Sequence, residues 1–396
     1  MGARMTGAPL KIAVIAGEVS GDLLGADLVA ALKRIHAGPI ELVGVGGEGL
    51  QAQGLKSLFD FSELSIMGIT QVLSRLPRLY TLIRQTTAAI IAARPDILLI
   101  IDSPDFTHRV AKRVRTALPD LPVVNYVCPS VWAWKEYRAT RMLPYVDHVL
   151  AVLPFEPATM RALGGPETTY VGHRLTADPA LLEARRLRAA RALAGEAGRA
   201  ILMLPGSRSS EIAKLLPFFE DAAKELVARN GPMRFLLPTV PHNEALVKGL
   251  VAGWATPPEV AVGPAQKWKA FAEADAAMAA SGTVILELAL AGVPTVSVYK
   301  TDWIIRLLAP RIKVWTGALP NIIADYAVVP EYLNEIVRGA SLARWMERLS
   351  ADTFQLKAMN EGYDLVWQRM QTETPPGEHA AEILLDVLKK KKPGRF

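Results

Sequence analysis

Two short carboxylate clusters in this sequence stand where they could move a proton. Ile101-Asp102-Ser103-Pro104-Asp105-Phe106 closes one apolar run, and Gly17-Glu18-Val19-Ser20-Gly21-Asp22 follows another. A carboxylate emerging from a buried strand end holds its proton more tightly than in water, which suits a general base acting on an alcohol. The plainer reading of Asp102 and Asp105 is an Asx turn or a cap ahead of a helix opened by Pro104. In the earlier cluster, glycines flank Glu18 and Ser20 and let backbone approach a ligand. A helix N-terminus there favours an anion, yet Glu18 and Asp22 add negative charge. Sugar hydroxyls, which seek carboxylate acceptors, fit that mixture better than a bare phosphate. Helix capping by Ser20 or Asp22 is the alternative.

The phosphate site is expected in the second half of the chain. Leu204-Pro205-Gly206-Ser207-Arg208-Ser209-Ser210-Glu211 offers free backbone at Gly206, donors at Ser207 and its neighbours, and a fixed cation at Arg208. At a helix start these make a diphosphate cradle. Ser281-Gly282-Thr283 opens another helix, with Glu287 one turn on and on the same face as Thr283. A carboxylate in an apolar helix needs a partner: a ribose diol would serve, and a Lys or Arg is the alternative. Asn321 is a loop amide without a use legible from its neighbours. Trp132, after an apolar run, could stack on a sugar, line an acyl pocket or simply pack inside. Ile66, Met67, Ile69, Val72, Leu73 and Leu76, with Arg75 and Arg78, could dip into a membrane interface or grip acyl chains. A buried helix edge would look similar. Gly44-Val45-Gly46-Gly47-Glu48-Gly49 matches G-x-G-x-x-G but follows the second strand, so it reads as a turn. The six histidines lack metal-ligand spacing, and no metal is expected.

These groups need a scaffold, and the chain is long enough to supply one. It has 396 residues, of which 51% are hydrophobic and 21% charged, so two or three domains with large cores are expected. A single cysteine, Cys128, excludes an internal disulfide and a Cys-based zinc cage. The net charge of +6 favours anionic partners. Scattered basic residues without aromatic interleaving argue against nucleic acid. Strands are expected at 11–16, 41–45, 97–101, 123–127 and 148–152, then at 200–204, 234–237, 260–262, 274–280 and 294–299. Helical stretches alternate with them, which implies parallel sheets with crossover helices. The fold class is α/β: two Rossmann-like, doubly wound domains facing a cleft, with ligands at the carboxyl ends of the strands. Residues 276–298 have spanning length, but Glu287 and Pro294 interrupt them, so no membrane-spanning helix is expected.

The motifs AGEVSGDLLGADL, MGITQVL, IDSPDF, YVCPSVWAWK, LPFE, YVGHRL, LPGSRSSEI, SGTVILELALAGVPTV and LPN occur in this order. They resemble the lipid-A-disaccharide synthase family; the combination of GE-SGD, PSVWAW and LPGSR is the specific part. The resemblance implies a GT-B glycosyltransferase. Residues 1–172, with a C-terminal helix at about 355–390 crossing back, would form the acceptor and lipid domain, and 173–354 the UDP-sugar domain. It implies inverting transfer of 2,3-diacylglucosamine from its UDP derivative to the 6-hydroxyl of 2,3-diacylglucosamine 1-phosphate (lipid X). The products would be the β-1',6-linked disaccharide 1-phosphate and UDP, made without metal or cofactor. It further implies peripheral attachment to membrane lipid on the cytoplasmic face of the inner membrane, and leaves a homodimer open. Asp102 leads as the base, with Glu18 and then Asp105 behind it. Ser20 and Asp22 would orient hydroxyls, and Gly206, Ser207 and Arg208 would take diphosphate charge. Ser281, Gly282 and Thr283 would complete the donor site, Glu287 would hold the ribose, and Asn321 would contact diphosphate or sugar. A UDP-sugar 2-epimerase or hydrolase of the same architecture is the alternative, since it would use the same nucleotide half.

Overall fold

Runs such as ILLII and AILML have no polar face, and each becomes a strand buried on both sides, as a parallel sheet covered by helices requires. The computed structural model describes residues 9–64, 69–194, 200–300 and 313–393, and along 69–76 the backbone alone. The chain divides into two units, Met1–Arg174 with Thr372–Phe396, and Leu175–Gln371.

The first unit runs β1 (Leu10–Ala16), α1 (Val19–Ile35), β2 (Ile40–Val45), α2 (Glu48–Ala52), α3 (Ile69–Ala93), β3 (Ile97–Ile101) and α4 (Pro104–Ala117). It continues β4 (Val123–Tyr126), α5 (Arg138–Met142), β5 (His148–Ala151), α6 (Glu156–Ala162) and β6 (Glu167–Tyr170). Its strands are parallel in the order β2-β1-β3-β4-β5-β6. The direction of winding reverses between β1 and β3, where Ala16 lies opposite Ile101. Such a switch point opens a crevice beyond the carboxyl ends of its two strands.

In the second unit the order is α7 (Pro179–Leu193), β7 (Ala200–Leu204), α8 (Ser209–Asn230), β8 (Arg234–Thr239), α9 (Glu244–Val251), β9 (Glu259–Val262) and α10 (Pro264–Glu273). There follow β10 (Ala276–Ala280), α11 (Thr283–Ala291), β11 (Thr295–Tyr299), α12 (Leu319–Ala324), β12 (Glu331–Leu333), α13 (Gly339–Leu349) and α14 (Phe354–Met370). The parallel sheet β12-β11-β10-β7-β8-β9 has its switch point between β7 and β10. The apolar stretch 276–298 becomes β10, α11 and β11. Gly292 ends α11 in the left-handed region at φ 77°, a conformation glycine adopts without steric penalty. Among the described residues no helix is long and apolar enough to cross a membrane.

Two strands were not expected from sequence, β6 and β12. Both are short, polar edge strands without an apolar run to mark them. The stretch expected at 355–390 also divides. Helix α14 buries Met359, Tyr363, Val366 and Met370 within the second unit. Only α15 (Pro376–Lys391) returns to the first, where Ala380, Leu384 and Leu388 join the cluster of Leu28, Leu32, Leu99 and Ile101. The other face of that sheet is covered by Leu82, Ile83, Phe106 and Val110.

Candidate active site

At the β1/β3 switch point the two carboxylate clusters come together. Gly17 packs so tightly on the loop after β3 that a Cβ there would lie 2.3 Å from Ser103 Oγ, so the position admits no side chain. Asp102 and Ser103 are both left-handed, at φ 50° and 45°. Consecutive non-glycine residues in this region are held by their surroundings and cluster at functional sites. Here the Asp102 N–H donates to Tyr126 O at 3.1 Å, Thr107 Oγ1 donates to Asp102 O at 2.7 Å, and the Ser103 N–H donates to Asp102 Oδ1 at 2.7 Å. Glu18 begins α1 with its side chain exposed, and Ser20 is exposed on the first turn. Partial desolvation of its carboxyl by the surrounding loops, and then the charge of Asp102, raise the Glu18 pKa from its ordinary value. The switch point thus brings Glu18 close enough to Asp102 for the charge of Asp102 to oppose ionisation of Glu18. Asp105 is exposed on α4.

Asp22 does not join them. It is buried, and its two oxygens accept from the N–H groups of Gly47 at 2.7 Å, Leu50 at 3.2 Å and Gly49 at 2.8 Å. This carboxylate caps α2 and fixes the glycine-rich turn after β2, buried away from where a sugar hydroxyl could approach.

Trp132, on the loop after β4, donates Nε1–H to Glu156 Oε1 at 3.3 Å and meets Phe155 edge to face at 5.3 Å. Glu156 also accepts from Val152 N and Leu153 N at 3.2 and 3.0 Å. It was not singled out from sequence, although it ends the LPFE motif. Burial pushes its pKa up to about 8. A carboxyl that stays protonated in the folded state to about 8, and ionises near 4.5 when unfolded, makes stability fall as pH rises between those values. Glu156→Gln should lack that slope. Its melting temperature relative to the parent is expected to climb by a few degrees across this window, checked by scanning calorimetry. Parallel melting curves at every pH would refute the assignment.

Beyond the β7/β10 switch point lies a cavity of about 490 Å³, lined by Gly206, Ser207, Arg208, Ser281, Gly282 and Thr283 together with Lys267. The N-termini of α8, α10 and α11 border it, and no side chain caps any of the three. Their free N–H groups and dipoles favour an anion. Gly206 is at φ 110°, and a Cβ on it would lie 2.6 Å from Glu211 Oε2. Arg208 is exposed and pairs with Glu211 at 2.7 Å. An exposed (i, i+3) pair is worth little, so the guanidinium can turn to a phosphate at small cost. Asn243, also missed, is buried after β8. It donates to Ser207 O at 2.7 Å and accepts from Ser209 Oγ at 2.9 Å, so it holds the loop in shape.

Glu287 lies beside this cavity but is engaged. Lys267 Nζ meets both its oxygens at 3.1 and 3.0 Å and also sits 4.3 Å from the Trp268 ring centre. The lysine is the partner that the apolar helix demanded, and it holds Glu287 at the edge of the cavity. Asn321 is likewise spent. Its Nδ2 donates to Thr316 Oγ1 at 3.1 Å and Val329 O at 2.9 Å, and its Oδ1 accepts from Val328 N and Val329 N at 2.9 and 2.7 Å. Asn321 clamps a loop and has no group left for a diphosphate. Removing a buried amide with four partners leaves orphaned polar groups. Asn321→Ala should therefore lower the unfolding free energy by about 2–4 kcal/mol. A loss under about 1 kcal/mol in urea titration would show the clamp to be dispensable.

Of the apolar stretch near α3, Ile66 and Met67 lie outside the described residues. Ile69, Val72, Leu73, Arg75 and Leu76 are on α3 where the backbone alone is described. Arg78 is exposed and bidentate to Glu63 at 2.7 and 2.9 Å. Among the described residues, no three His, Cys, Asp or Glu side chains are grouped as metal ligands.

Known proteins with this arrangement fall into two sets. Solved structures share the fold at low identity. The UDP-GlcNAc 2-epimerase from Neisseria meningitidis bound to UDP-GlcNAc has a TM-score of 0.58 at 13% identity, covering 96% of this chain and 99% of that one. CalG4, the calicheamicin glycosyltransferase, has 0.58 at 15%, covering 98% and 100%. The architecture is therefore GT-B, with two Rossmann-like domains. Sequence relatives are much nearer. The lipid-A-disaccharide synthase of Rhodopseudomonas palustris (strain HaA2) is 45% identical over 388 residues, 97% of this chain and 98% of the relative. That of Nitrobacter winogradskyi is 44% identical over 381 residues, 96% of each. The family model described as lipid-A-disaccharide synthetase matches residues 12–372. A match this nearly end to end, on a GT-B scaffold, assigns the chain to the lipid-A-disaccharide synthase family and makes it a glycosyltransferase.

Proposed function

We propose that the protein transfers 2,3-diacylglucosamine from its UDP derivative to the 6-hydroxyl of 2,3-diacylglucosamine 1-phosphate. The transfer inverts the anomeric carbon to give the β-1',6 link. The observation that carries this reading is the cavity after β7 and β10, where three uncapped helix N-termini meet two cations, Arg208 and Lys267, each held in place by a carboxylate, Glu211 and Glu287. Such a site suits the charge that grows on a departing nucleoside diphosphate. Asp102 takes the proton of the attacking hydroxyl as that oxygen bonds to the anomeric carbon and the sugar–phosphate bond breaks. Glu18 is the second candidate for this role and Asp105 the third. Ser20 contacts acceptor hydroxyls and Trp132 stacks on sugar or acyl chain. Val19 and Leu23, exposed and four residues apart on α1, give an acyl chain an apolar strip beside Glu18. The protein works without metal as a peripheral protein of the cytoplasmic membrane face, with the stretch 66–78 among its lipid contacts.

Incubation with both substrates, with and without EDTA, followed by mass analysis, tests this. Disaccharide 1-phosphate and UDP are expected in equal yield under both conditions. Free diacylglucosamine, or an epimerised nucleotide sugar formed without acceptor, would favour the hydrolase or epimerase instead. Loss of yield with EDTA would remove the metal-free mechanism.

A further inference from the structure

An exposed strip of aromatic and cationic side chains follows the loop after β4, and neither candidate site uses it. Trp134, Tyr137 and Leu143 are 41%, 50% and 51% exposed. Cations lie over two of these groups. Lys135 Nζ is 3.9 Å and Arg138 Cζ 5.8 Å from the centre of the Trp134 ring, and Arg141 Cζ is 4.5 Å from that of Tyr137. Buried Ala139 and Met142 fasten the inner side of α5 to the core, so the outer side keeps a fixed orientation. Within 134–143, three cations stand against one carboxylate, Glu136.

Three large apolar groups exposed within 134–143, with cations over two of them, mark a surface suited to meeting a partner. Here the residue types name the partner. Trp and Tyr prefer the headgroup level of a bilayer, and Lys and Arg beside them match anionic lipid phosphates. Cations held over the rings keep charge and apolar surface at one depth. The segment belongs to the crossover from β4 to β5 in the first unit, where Ala139 and Thr140 pack beside Gly165 and Gly164. We propose that 134–143 is an interfacial anchor that seats the first unit on an anionic lipid bilayer, with Trp134, Tyr137 and Leu143 among the headgroups and Lys135, Arg138 and Arg141 on the phosphates. The proposal rests on the reading that the substrates are acylated lipids, which must be collected from such a surface.

The test uses the full chain and vesicles of phosphatidylcholine with or without phosphatidylglycerol. An environment-sensitive dye is attached at Leu143→Cys, with Leu250→Cys on α9 as the control; native Cys128 is buried and so reacts poorly. With phosphatidylglycerol present, the dye at 143 should brighten and shift to the blue while that at 250 stays unchanged. Tyr137→Ser with Leu143→Ser should reduce vesicle partition about tenfold. Arg138→Glu with Arg141→Glu should reduce it about fivefold or more per cation, with the difference vanishing at high salt. A dye at 143 that ignores vesicles, or both double variants partitioning like the parent, overturns the anchor, as does a parent that binds no vesicle. Transfer activity in detergent micelles is measured alongside. Transfer in micelles without any effect of the strip sinks the anchor alone, whereas no transfer in micelles sinks the proposed function.

Discussion

Asp102→Asn should abolish turnover almost completely, by about a thousandfold or more, while UDP affinity stays near that of the parent. The substitution is chosen for its backbone. Asp102 is left-handed at φ 50°, and asparagine tolerates that region better than other side chains. Its amide oxygen can still accept the Ser103 N–H, so the loop keeps its shape and the loss reports the missing charge. Alanine would mix backbone strain into the result. The coupling with Glu18 provides a second readout. The negative charge of Asp102 helps to raise the Glu18 pKa, so its removal should bring Glu18 back toward ordinary acidity. If Glu18 were the base, the variant would keep most of its turnover and its acid limb would move to lower pH. Single-turnover rates across pH, with calorimetric UDP titration, distinguish the two. Equal loss of binding and turnover would leave Asp102 a structural residue.

Arg208→Ala is expected to remove about 3–4 kcal/mol of transition-state stabilisation, a hundredfold to a thousandfold in kcat, the scale of losing an oxyanion-hole donor. Its partner adds to the damage. Glu211 is held by Arg208 at 2.7 Å, stands close to Gly206 and lines the cavity, so without the guanidinium a bare carboxylate would face any anion bound there. Adding Glu211→Gln should therefore return part of the lost rate, and the double-mutant cycle separates repulsion by Glu211 from attraction by Arg208. Parental kcat at saturating donor in Arg208→Ala would remove the arginine from the mechanism.

The sequence reveals where each site sits better than what each side chain does. Buried parallel strands announce themselves as apolar runs, and their carboxyl-end loops must turn sharply into helices. GEVSGD, IDSPD, LPGSR and SGT were therefore legible as strand-end loops, and the structure sets them in pairs at the two switch points. Hydrogen-bond partners were not legible, because they come from distant segments. Asp22 finds its three amides beyond β2, Glu287 finds Lys267 on the preceding helix, and Asn321 finds Val328 and Val329 across a turn. Each of these looks free for a ligand until the fold supplies its neighbours. Asn243 and Glu156 were missed for the converse reason, since a buried polar residue that shapes a loop carries no local pattern of its own.

Helix α15 completes the first sheet's core although the whole second unit, Leu175–Gln371, comes between. On a ribosome, the segment up to Arg174 emerges with one apolar face of its sheet covered only in part by α1, and the patch that Ala380, Leu384 and Leu388 fill waits for α15. That patch stays open until Pro376–Lys391 has emerged. The nascent protein therefore has a long interval in which chaperones must guard it, and a message cut short anywhere in the second unit yields a sticky half-built lobe in place of a working fragment.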